Sequence, residues 1–316
     1  MRRALPIVVV LVVLLAAIAV ANPFFLEPAG FLGFLKRAAP LVILAAGQYF
    51  VIVSGEFDLS VGSLVTAEVV IAARLIDGDE SATWPVLALL IVIGPLAGLV
   101  NGVVTTKLRV PSFIVTLGML LVLSGAVFLW TGGAPRGALS EGFRMFGRGA
   151  LGPLPWSVLV LLAVGAAAIW LTRTDFGRTL IAIGDNERAA ALSGVRVDRA
   201  KIFAFMLSGL AAAVASVLLG GFAGVSAQAG QGLEFSAITA VVLGGVALGG
   251  GRGSVPAALA GAFTLEALFT LLNLYGISGA LESTVQGVII IAAVAAGAVR
   301  LPRKFTPRRG DAHAAS

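Results

Sequence analysis

Residues 173–201 read RTDFGRTLIAIGDNERAAALSGVRVDRAK, and they interrupt a chain that is otherwise strongly apolar. Ten charged side chains lie in this stretch, six of them basic, and we refer to it as the charged island. The apolar runs 155–172 and 202–222 flank it, and each is close to the ~20 apolar residues that cross a bilayer. Because basic loops are retained on the cytoplasmic side of a membrane, the pattern predicts a cytoplasmic loop between two transmembrane helices.

The composition of the 316 residues excludes an ordinary soluble protein. Apolar residues make up 59% and charged residues only 12%, with a mean hydropathy of +1.03, whereas a water-facing surface needs far more charge. The absence of cysteine from the sequence excludes disulfides, a thiolate nucleophile and cysteine-ligated metals. The single histidine, His313, excludes a histidine metal cluster and argues against a Ser-His catalytic triad.

The apolar runs predict an all-α, polytopic membrane protein with about ten transmembrane helices. The runs that are long enough to cross the bilayer are 5–21, 39–54, 85–106, 113–131, 155–172, 202–222, 255–272 and 283–299. Two more, 61–76 and 235–248, are short and carry glycine or acidic residues, so we predict broken or re-entrant elements there. The first run has an alternative interpretation as a cleavable secretory signal, but its removal would leave an odd number of spans.

Charge sets the predicted orientation, with both termini in the cytoplasm. This arrangement places most of the 22 Lys and Arg residues on the cytoplasmic side and the acidic cluster Asp77, Asp79 and Glu80 outside. Since the cations lie at the ends of apolar runs, they indicate topology, and we expect no nucleic-acid partner. We predict one transmembrane domain, residues 1–300, followed by a polar, basic cytoplasmic tail at 301–316.

The sequence lacks an ATP-hydrolysing site of the P-loop type. Such a loop needs a lysine directly after a glycine to reach the phosphates, and none of the lysines in the sequence follows a glycine. Transport work would therefore depend on another subunit or on an ion gradient. The ion-gradient alternative is a secondary transporter that uses Glu68 or Glu266, the two carboxylates predicted deep in the membrane. Each of these is equally consistent with a water-filled cavity or a helix–helix hydrogen bond.

Three ordered motifs stand out from the apolar background. The first, SGEFDLSVGS at 54–63, breaks the chain between two helices, and Glu56 and Asp58 lie there at a helix end that water is expected to reach. The second joins Asn101-Gly102 to KLRVPSFIVTLG at 107–118. The third runs through TDFGR at 174–178 and IGDNERAAALSG at 183–194 to VVLGG at 241–245 and GGRGS at 250–254. The residues of these motifs to which we assign structural roles are Gly55, Asp58, Ser60, Gly62, Gly250, Gly251, Arg252 and Gly253.

Together and in this order, the motifs resemble the permease subunit of ribose-type ATP-binding cassette (ABC) sugar importers, within the wider sugar and branched-chain amino acid permease family. The resemblance extends over residues 40–300. It implies a pore subunit, not itself an enzyme, that moves a monosaccharide such as ribose through the bacterial inner membrane. One departure lies at 55–57, where sugar permeases more often have two glycines and an aliphatic residue, and this leaves the substrate open.

The resemblance also implies partners for the chain. These are a second permease subunit, here expected to form a homodimer, a cytoplasmic ATP-binding subunit, a periplasmic or lipid-anchored sugar-binding protein, and membrane lipid. No cofactor is expected in this chain, because ATP and magnesium would be bound by the ATP-binding subunit. Outer segments 132–154 and 223–234 are expected to dock the binding protein, with Arg136, Arg144 and Arg148 available for charge pairing.

The island is expected to fold into a short helix over residues 185–194. Asp185 is a candidate N-cap, Glu187 complements the positive helix start, and Gly194 suits the helix stop. In the importers that the chain resembles, this position matches the coupling helix that contacts the ATP-binding subunit. The expected contact residues are Asp185, Asn186, Glu187, Arg188, Ala189, Ala190, Leu192, Ser193 and Gly194. The alternative is a solvated loop that only obeys the charge rule.

Polar side chains inside the predicted spans are the candidates for the translocation path, although each is more often a helix–helix hydrogen bond. They are Gln48, Glu68, Asn101, Thr116 and Gln286. Glycines recur at every fourth position at 94, 98 and 102, and again at 245 and 249, a spacing that lets helices pack closely.

Overall fold

The computed structural model describes residues 5–277 and 279–298, and α-helices account for most of them. The helices are α1 Leu5–Ala21, α2 Pro28–Val53, α3 Val61–Ile76, α4 Thr83–Lys107, α5 Ser112–Thr131, α6 Glu141–Arg148, α7 Trp156–Arg173, α8 Asp175–Asp185, α9 Glu187–Leu192, α10 Val197–Ala223, α11 Leu233–Leu243, α12 Val255–Leu274 and α13 Ala280–Ala298. Short 3-10 turns lie at Pro23–Leu26 and Glu80–Ala82, and two antiparallel strands, β1 Ala150–Leu151 and β2 Leu154–Pro155, form a small hairpin. The predicted tail at 301–316 lies outside the described residues.

The architecture is that of an all-α, polytopic membrane protein. Within the described residues, six helices are long and apolar enough to cross a membrane, namely α2, α4 with the turn before it, α5, α7, α10 and α12. Helices α1 and α11 and a segment of α13 are apolar but shorter. Large apolar side chains remain exposed along α5, including Leu121 and Leu129, as expected for a surface that faces lipid.

Helix α2 begins earlier than the sequence predicted. The apolar run starts at 39, whereas the helix starts at Pro28 and continues through Pro40. The charged pair Lys36-Arg37 hid this extension, because it interrupts the apolar pattern. Lys36 directs its ammonium group along the bundle surface, where Nζ lies 3.4 Å from the Arg148 carbonyl and 5.3 Å from the centroid of the Phe222 ring.

Helix α10 is the centre of the bundle and packs mainly against α4 and α2. The glycines of α4 allow the closest approach, since a Cβ atom at Gly94 or Gly98 would overlap a backbone carbonyl of α10. The predicted close packing through Gly94, Gly98 and Gly102 is confirmed. The same prediction for 245 and 249 is wrong, because these glycines lie in a loop and a Cβ atom at either would meet open space.

The connections between helices gather at two ends of the bundle. The charged island contacts the connections 54–60 and 244–254 and the end of α4 at Lys107, and we refer to this end as the island end. At the opposite end, the Gly78 amide donates to the Ala138 carbonyl at 2.9 Å, and Arg148 contacts the Phe222 carbonyl at 3.3 Å. The acidic cluster predicted to lie outside is at this opposite end. The grouping follows the alternation of loops that the sequence predicted.

Helices α3 and α11 are short, as predicted, and they begin against each other inside the bundle. With 16 and 11 residues they measure about 24 and 17 Å, less than the ~30 Å of a bilayer core. The connection 224–232 enters the bundle far enough for the Gly230 amide to donate to Thr66 Oγ1 at 2.9 Å. A Cβ atom at Gly230 would overlap the Gly62 carbonyl, so glycine at both positions lets the two helix starts touch.

Replacement of Gly98 by alanine should destabilise the protein, because the new methyl group overlaps the Phe205 carbonyl on α10. We expect a loss of about 1–3 kcal/mol, typical of overpacking, and a lower melting temperature of the purified protein in detergent. Gly125→Ala is the matched control, since a Cβ atom there meets open space on the outer face of α5. Equal melting temperatures for the two variants would contradict the close packing of α4 on α10.

Candidate functional site at the island end

Three sequence motifs meet through backbone contacts at the island end. The Gly251 amide donates a hydrogen bond to the Val53 carbonyl at 2.9 Å. A Cβ atom at Gly250 would lie 2.8 Å from the backbone of both Gly184 and Gly55. Both Gly55 and Gly250 have positive φ angles, +88° and +80°, which glycine adopts without strain. The connection 54–60, the end of α8 and the loop 244–254 are therefore packed backbone to backbone.

The glycine-rich loop forms a seat for the end of α8. A Cβ atom at Gly251 would lie 2.6 Å from the Asp185 backbone, and Gly251 has φ +72°. The loop is closed by a hydrogen bond from the Ala247 amide to the Arg252 carbonyl at 2.9 Å, while the Arg252 side chain is exposed. Gly253 has φ +144° and packs against Val246. The glycine-rich loop is thus packed backbone to backbone against the end of α8.

A buried carboxylate organises the connection 54–60. Asp58 Oδ1 accepts hydrogen bonds from the Ser60 amide at 3.0 Å and the Ser60 hydroxyl at 2.6 Å, and Oδ2 accepts one from the Ser208 hydroxyl at 2.8 Å. Asn101 Nδ2 donates to Ser60 Oγ at 2.9 Å, and Gln48 Nε2 donates to the Asp58 carbonyl at 3.0 Å. The network ties the start of α3 to α2, α4 and α10.

The expectation that water reaches Asp58 is wrong, because only 1% of the residue is exposed. The connection folds back into the bundle instead of ending at its surface. Its partner Asn101 lies six residues, or about 9 Å, before the end of α4 at Lys107. In this setting each polar group of the connection needs a partner within the protein.

An ionic cluster joins the same connection to the island. Lys201 Nζ lies 2.6 Å from Glu56 Oε1 and 2.7 Å from Glu187 Oε2. The Lys201 and Glu56 side chains are 8% and 15% exposed, whereas that of Glu187 is 58% exposed. One ammonium group therefore connects α10, the connection 54–60 and α9. The nearby Lys107–Asp198 pair, at 2.6 Å, is exposed on both sides and contributes little to stability.

Helix α9 is shorter than predicted and has a different N-cap. It runs from Glu187 to Leu192, about 9 Å, and the side chain of Asn186 accepts from the Ala189 amide at 2.9 Å. Asp185, the predicted cap, is instead the last residue of α8. Asp and Asn are both good N-cap residues, so the sequence alone does not distinguish them. Asn186 is the cap because α8 continues to Asp185 and α9 begins at Glu187.

The helix stop at Gly194 is confirmed. Gly194 has φ +85°, its amide donates to the Ala191 carbonyl, and the Val195 amide donates to the Ala190 carbonyl. This pair of bonds is the Schellman arrangement that ends many helices at glycine.

Helix α9 has one buried side and one open side. Ala190 is 6% exposed and belongs to the main core, so its predicted contact with a partner is wrong. Leu192, in contrast, is 83% exposed, and Arg188 and Ala189 are also on the surface. An exposed leucine on a helix that is anchored on its other side is a candidate contact for another protein.

The polar residues predicted to line a path do not form one continuous path. Gln48 and Asn101 belong to the Asp58 network, and Thr116 Oγ1 donates to the Ser112 carbonyl at 2.8 Å beside the same connection. Glu68 is fully buried on α3 next to Ser216 of α10. Gln286 is separate, and its Nε2 donates to Ser236 Oγ at 2.8 Å.

Sequence reasoning missed Lys201 and Ser208 as site residues. Lys201 and Glu56 are 145 positions apart, and Ser208 and Asp58 are 150 apart, so no local spacing pairs them. The available signal was the charge of a lysine at the start of an apolar helix, which the positive-inside rule explains equally well.

Comparison with known proteins places this arrangement in a family. The model of the branched-chain amino acid transport system / permease component family matches residues 30–294. The chain belongs to this permease family. It is 38% identical over 292 residues to the ribose import permease protein of Bacillus subtilis, covering 90% of this permease and 89% of the relative. It is 36% identical to the ribose import permease protein of Escherichia coli K12, with coverage of 90% and 91%.

A second group of relatives has a different substrate in its name. This permease is 37% identical over 254 residues to an autoinducer 2 import system permease protein of an Enterobacter species, covering 79% of its own length and 74% of the relative. No solved structure matches the chain.

Replacement of Asp58 by alanine should strongly destabilise the permease. It leaves the Ser60 amide, the Ser60 hydroxyl and the Ser208 hydroxyl without their acceptor, and each buried unsatisfied group costs about 1–3 kcal/mol. We expect a loss of about 3 kcal/mol or more in the free energy of unfolding, measured by denaturant titration in mixed micelles.

Asp79→Ala is the control, because Asp79 makes the same pair of bonds to the serine two residues later but is exposed. Its replacement should change the free energy of unfolding little. A similar loss in both variants would show that the buried Asp58 network contributes no more to the free energy of unfolding than the exposed bonds of Asp79.

Proposed function

We propose that this chain is the pore-forming, membrane-spanning subunit of an ABC importer that carries a monosaccharide, ribose or a similar simple sugar, into the cytoplasm. The main support is the similarity to ribose import permeases, which extends over about nine-tenths of this chain and of each relative. The autoinducer 2 permeases match a smaller share of the chain, which favours the sugar assignment.

The proposed topology has ten spans, with the island end and both termini in the cytoplasm of a bacterial cell. The spans would be α1 to α5, α7 and α10 to α13. Support comes from the concentration of basic residues at the island end and of Asp77, Asp79 and Glu80 at the opposite end. The protein would accordingly be a multi-pass protein of the bacterial inner membrane.

The energy for transport would come from a partner. The sequence offers no lysine for a P-loop, so ATP and magnesium would be bound by a separate ATP-binding subunit, and this chain would carry no cofactor. The alternative of an ion-coupled transporter has no support among the relatives, which are import permeases by name. Glu68 is packed inside the bundle, and Glu266 lies on α12 near Arg37, a setting equally suited to a structural role.

Helix α9 is the proposed dock for the ATP-binding subunit. Its open side carries Leu192 and Arg188, and its other side is fixed to the bundle through Ala190 and through the Glu187–Lys201 pair. A displacement of α9 would therefore reach the connection 54–60 and α10 through Lys201. A second copy of the permease would complete the pore, and a periplasmic or lipid-anchored sugar-binding protein would dock at the opposite end.

Leu192→Asp should prevent the ATP-binding subunit from co-purifying with the tagged permease and abolish uptake of D-ribose. The charge would be buried in the docking contact at a high free-energy cost, whereas in the free permease it is solvated. Leu151→Asp is the matched control for co-purification, since Leu151 is 60% exposed at the opposite end.

Uptake by the unmodified permease should stop when cellular ATP is depleted with the ion gradient maintained, and continue when an ionophore collapses the gradient with ATP maintained. Retention of the ATP-binding subunit by Leu192→Asp would place the dock elsewhere. Uptake that follows the ion gradient would reject the ABC assignment altogether.

Lys201→Met should uncouple ATP hydrolysis from sugar uptake while the ATP-binding subunit still binds. The variant removes the link between α9 and the connection 54–60 and leaves Glu56 largely buried without its cation, which also destabilises the protein. The double variant Glu56→Gln/Lys201→Met should recover stability but not coupling, because no buried charge is left unpaired and Glu187, the other partner of Lys201, is solvated.

The control is Lys107→Met, which breaks the exposed pair with Asp198 and should change neither the coupling of ATP hydrolysis to uptake nor the stability of the protein. The measurement is sugar uptake per ATP hydrolysed in vesicles, together with the melting temperature. Recovery of both coupling and stability in the double variant would reduce the cluster to a purely structural role.

A further inference from the structure

A cavity of about 400 Å³ lies between α3, α5, the connection 224–232 and the start of α11, on the side of the Asp58 network that faces the opposite end. Its polar lining residues are Ser63, Thr66, Ser124, Gln228, Gln231 and Glu234. The volume falls within the ~300–1,000 Å³ typical of small-molecule sites. None of the residues predicted for the translocation path lines this cavity, so it is a separate candidate for the sugar.

The cavity extends from the opposite end deep into the bundle. Gly133, in the turn after α5, lies at its mouth. Ser124 is seven residues, about 10 Å, before the end of α5, and Ser63 is about 20 Å before the end of α3. Ser63 forms the floor of the cavity. Its hydroxyl donates to the Ser60 carbonyl at 2.8 Å, and Ser60 belongs to the Asp58 network, so the cavity ends directly above this network. In the proposed function, this network would have to rearrange before a solute continued towards the island end.

Glu234 is the strongest sign of a ligand. The residue is 6% exposed and lines the cavity, yet its Oε2 atom has no hydrogen-bond partner among the described residues. A buried carboxylate oxygen without a donor is costly. Because Oε2 is packed against Gly62, a ligand hydroxyl would reach this carboxylate through its other oxygen or after a rotation of the side chain. Glycine at 62 makes room for this carboxylate, because a Cβ atom there would overlap it.

The segment that carries Glu234 is accessible from two sides. A second cavity of about 580 Å³ shares Gln228, Gln231 and Glu234 with the first and is completed by residues of α13, among them Gln286. Both glutamine side chains are exposed in the monomer, although they sit beside the start of an apolar helix. An amide side chain at such a position is favourable in contact with water or a polar solute, but its contact with lipid costs free energy.

The chemistry of the lining selects among solutes. Hydroxyl and amide side chains both donate and accept hydrogen bonds, and the carboxylate accepts two, which matches the adjacent hydroxyl groups of a sugar. Phe128 adds an apolar surface for the carbon face of a sugar ring. The lining described here includes an acid and no basic residue, which disfavours phosphorylated sugars and other anions.

We propose that this cavity is the outward-facing sugar subsite of the permease, with Glu234 as its principal acceptor and Gln228 and Gln231 as further hydrogen-bonding contacts. The proposal rests on the proposed function, since a sugar must be delivered to the opposite end. It adds the place where the solute waits before the Asp58 network opens.

Because the sequence contains no cysteine, a single introduced cysteine can report on the cavity. In spheroplasts of the native host whose own copy of the gene is deleted, Ser124→Cys should react with a membrane-impermeant maleimide from outside. D-ribose should slow this reaction, whereas D-ribose 5-phosphate and L-leucine should not. Leu121→Cys is the control, because Leu121 lies on the same helix, is 64% exposed and lies outside the cavity, where lipid would suppress the reactive thiolate.

Addition of Glu234→Gln to Ser124→Cys should leave the labelling intact but raise the half-protecting concentration of D-ribose about tenfold or more, as expected for the loss of a charged hydrogen bond. An unreactive Ser124→Cys, an absence of protection by D-ribose, or an unchanged half-protecting concentration with Glu234→Gln would each overturn the subsite.

Uptake measured in the same cells separates the two proposals. ATP-dependent D-ribose uptake without protection would reject the subsite and leave the proposed function standing. Protection by D-ribose in a chain that supports no ATP-dependent uptake would reject the function and retain the subsite.

Discussion

The structure depends on one constraint, namely that a polar connection folded into an apolar bundle must satisfy its own hydrogen bonds. The connection 54–60 meets it through Asp58, whose carboxylate accepts three bonds from Ser60 and Ser208. This arrangement lets α3 begin inside the bundle instead of at its end. The early start of α3 in turn creates the contact with the start of α11, and the polar cavity is formed between these two helices and α5. The position of the cavity thus follows from the early start of α3, which the buried Asp58 network allows.

Glycine lets elements at the island end pack against each other without side chains between them. At Gly184, Gly250 and Gly251 the backbones of α8 and the loop 244–254 lie in direct contact, so a displacement of one must shift the other. Helix α9 is attached differently, through a single buried alanine and one ammonium group. In the proposed function, a displacement of α9 by the ATP-binding subunit would reach α8 and, through these glycine contacts, the loop 244–254.

Local patterns predicted the all-α, polytopic architecture, the alternation of loops, the glycine packing of α4 on α10 and the helix stop at Gly194. Each depends on residues close together in sequence. The burial of Asp58, the pairing of Lys201 with Glu56 and the cavity around Glu234 were not predicted, because they join segments about 150 or more residues apart. The candidate path residues illustrate the limit. Polarity inside an apolar run identified Gln48 and Asn101 correctly as unusual, but their partners, and therefore their structural role, are set by the fold.

The departure at 55–57 acquires a physical meaning from these contacts. In the sequence, Glu56 replaces a glycine that is more frequent in the sugar permeases the chain resembles, and this left the substrate open. In the structure Glu56 contacts Lys201 at the island end, whereas the proposed subsite is lined by Ser124 and Glu234. With glycine at 56, Lys201 would keep only the half-exposed Glu187 as a partner and would remain buried with less compensation. The two residues are therefore expected to vary together among permeases, and their variation would alter how firmly α9 is tied to the pore without altering which sugar is bound.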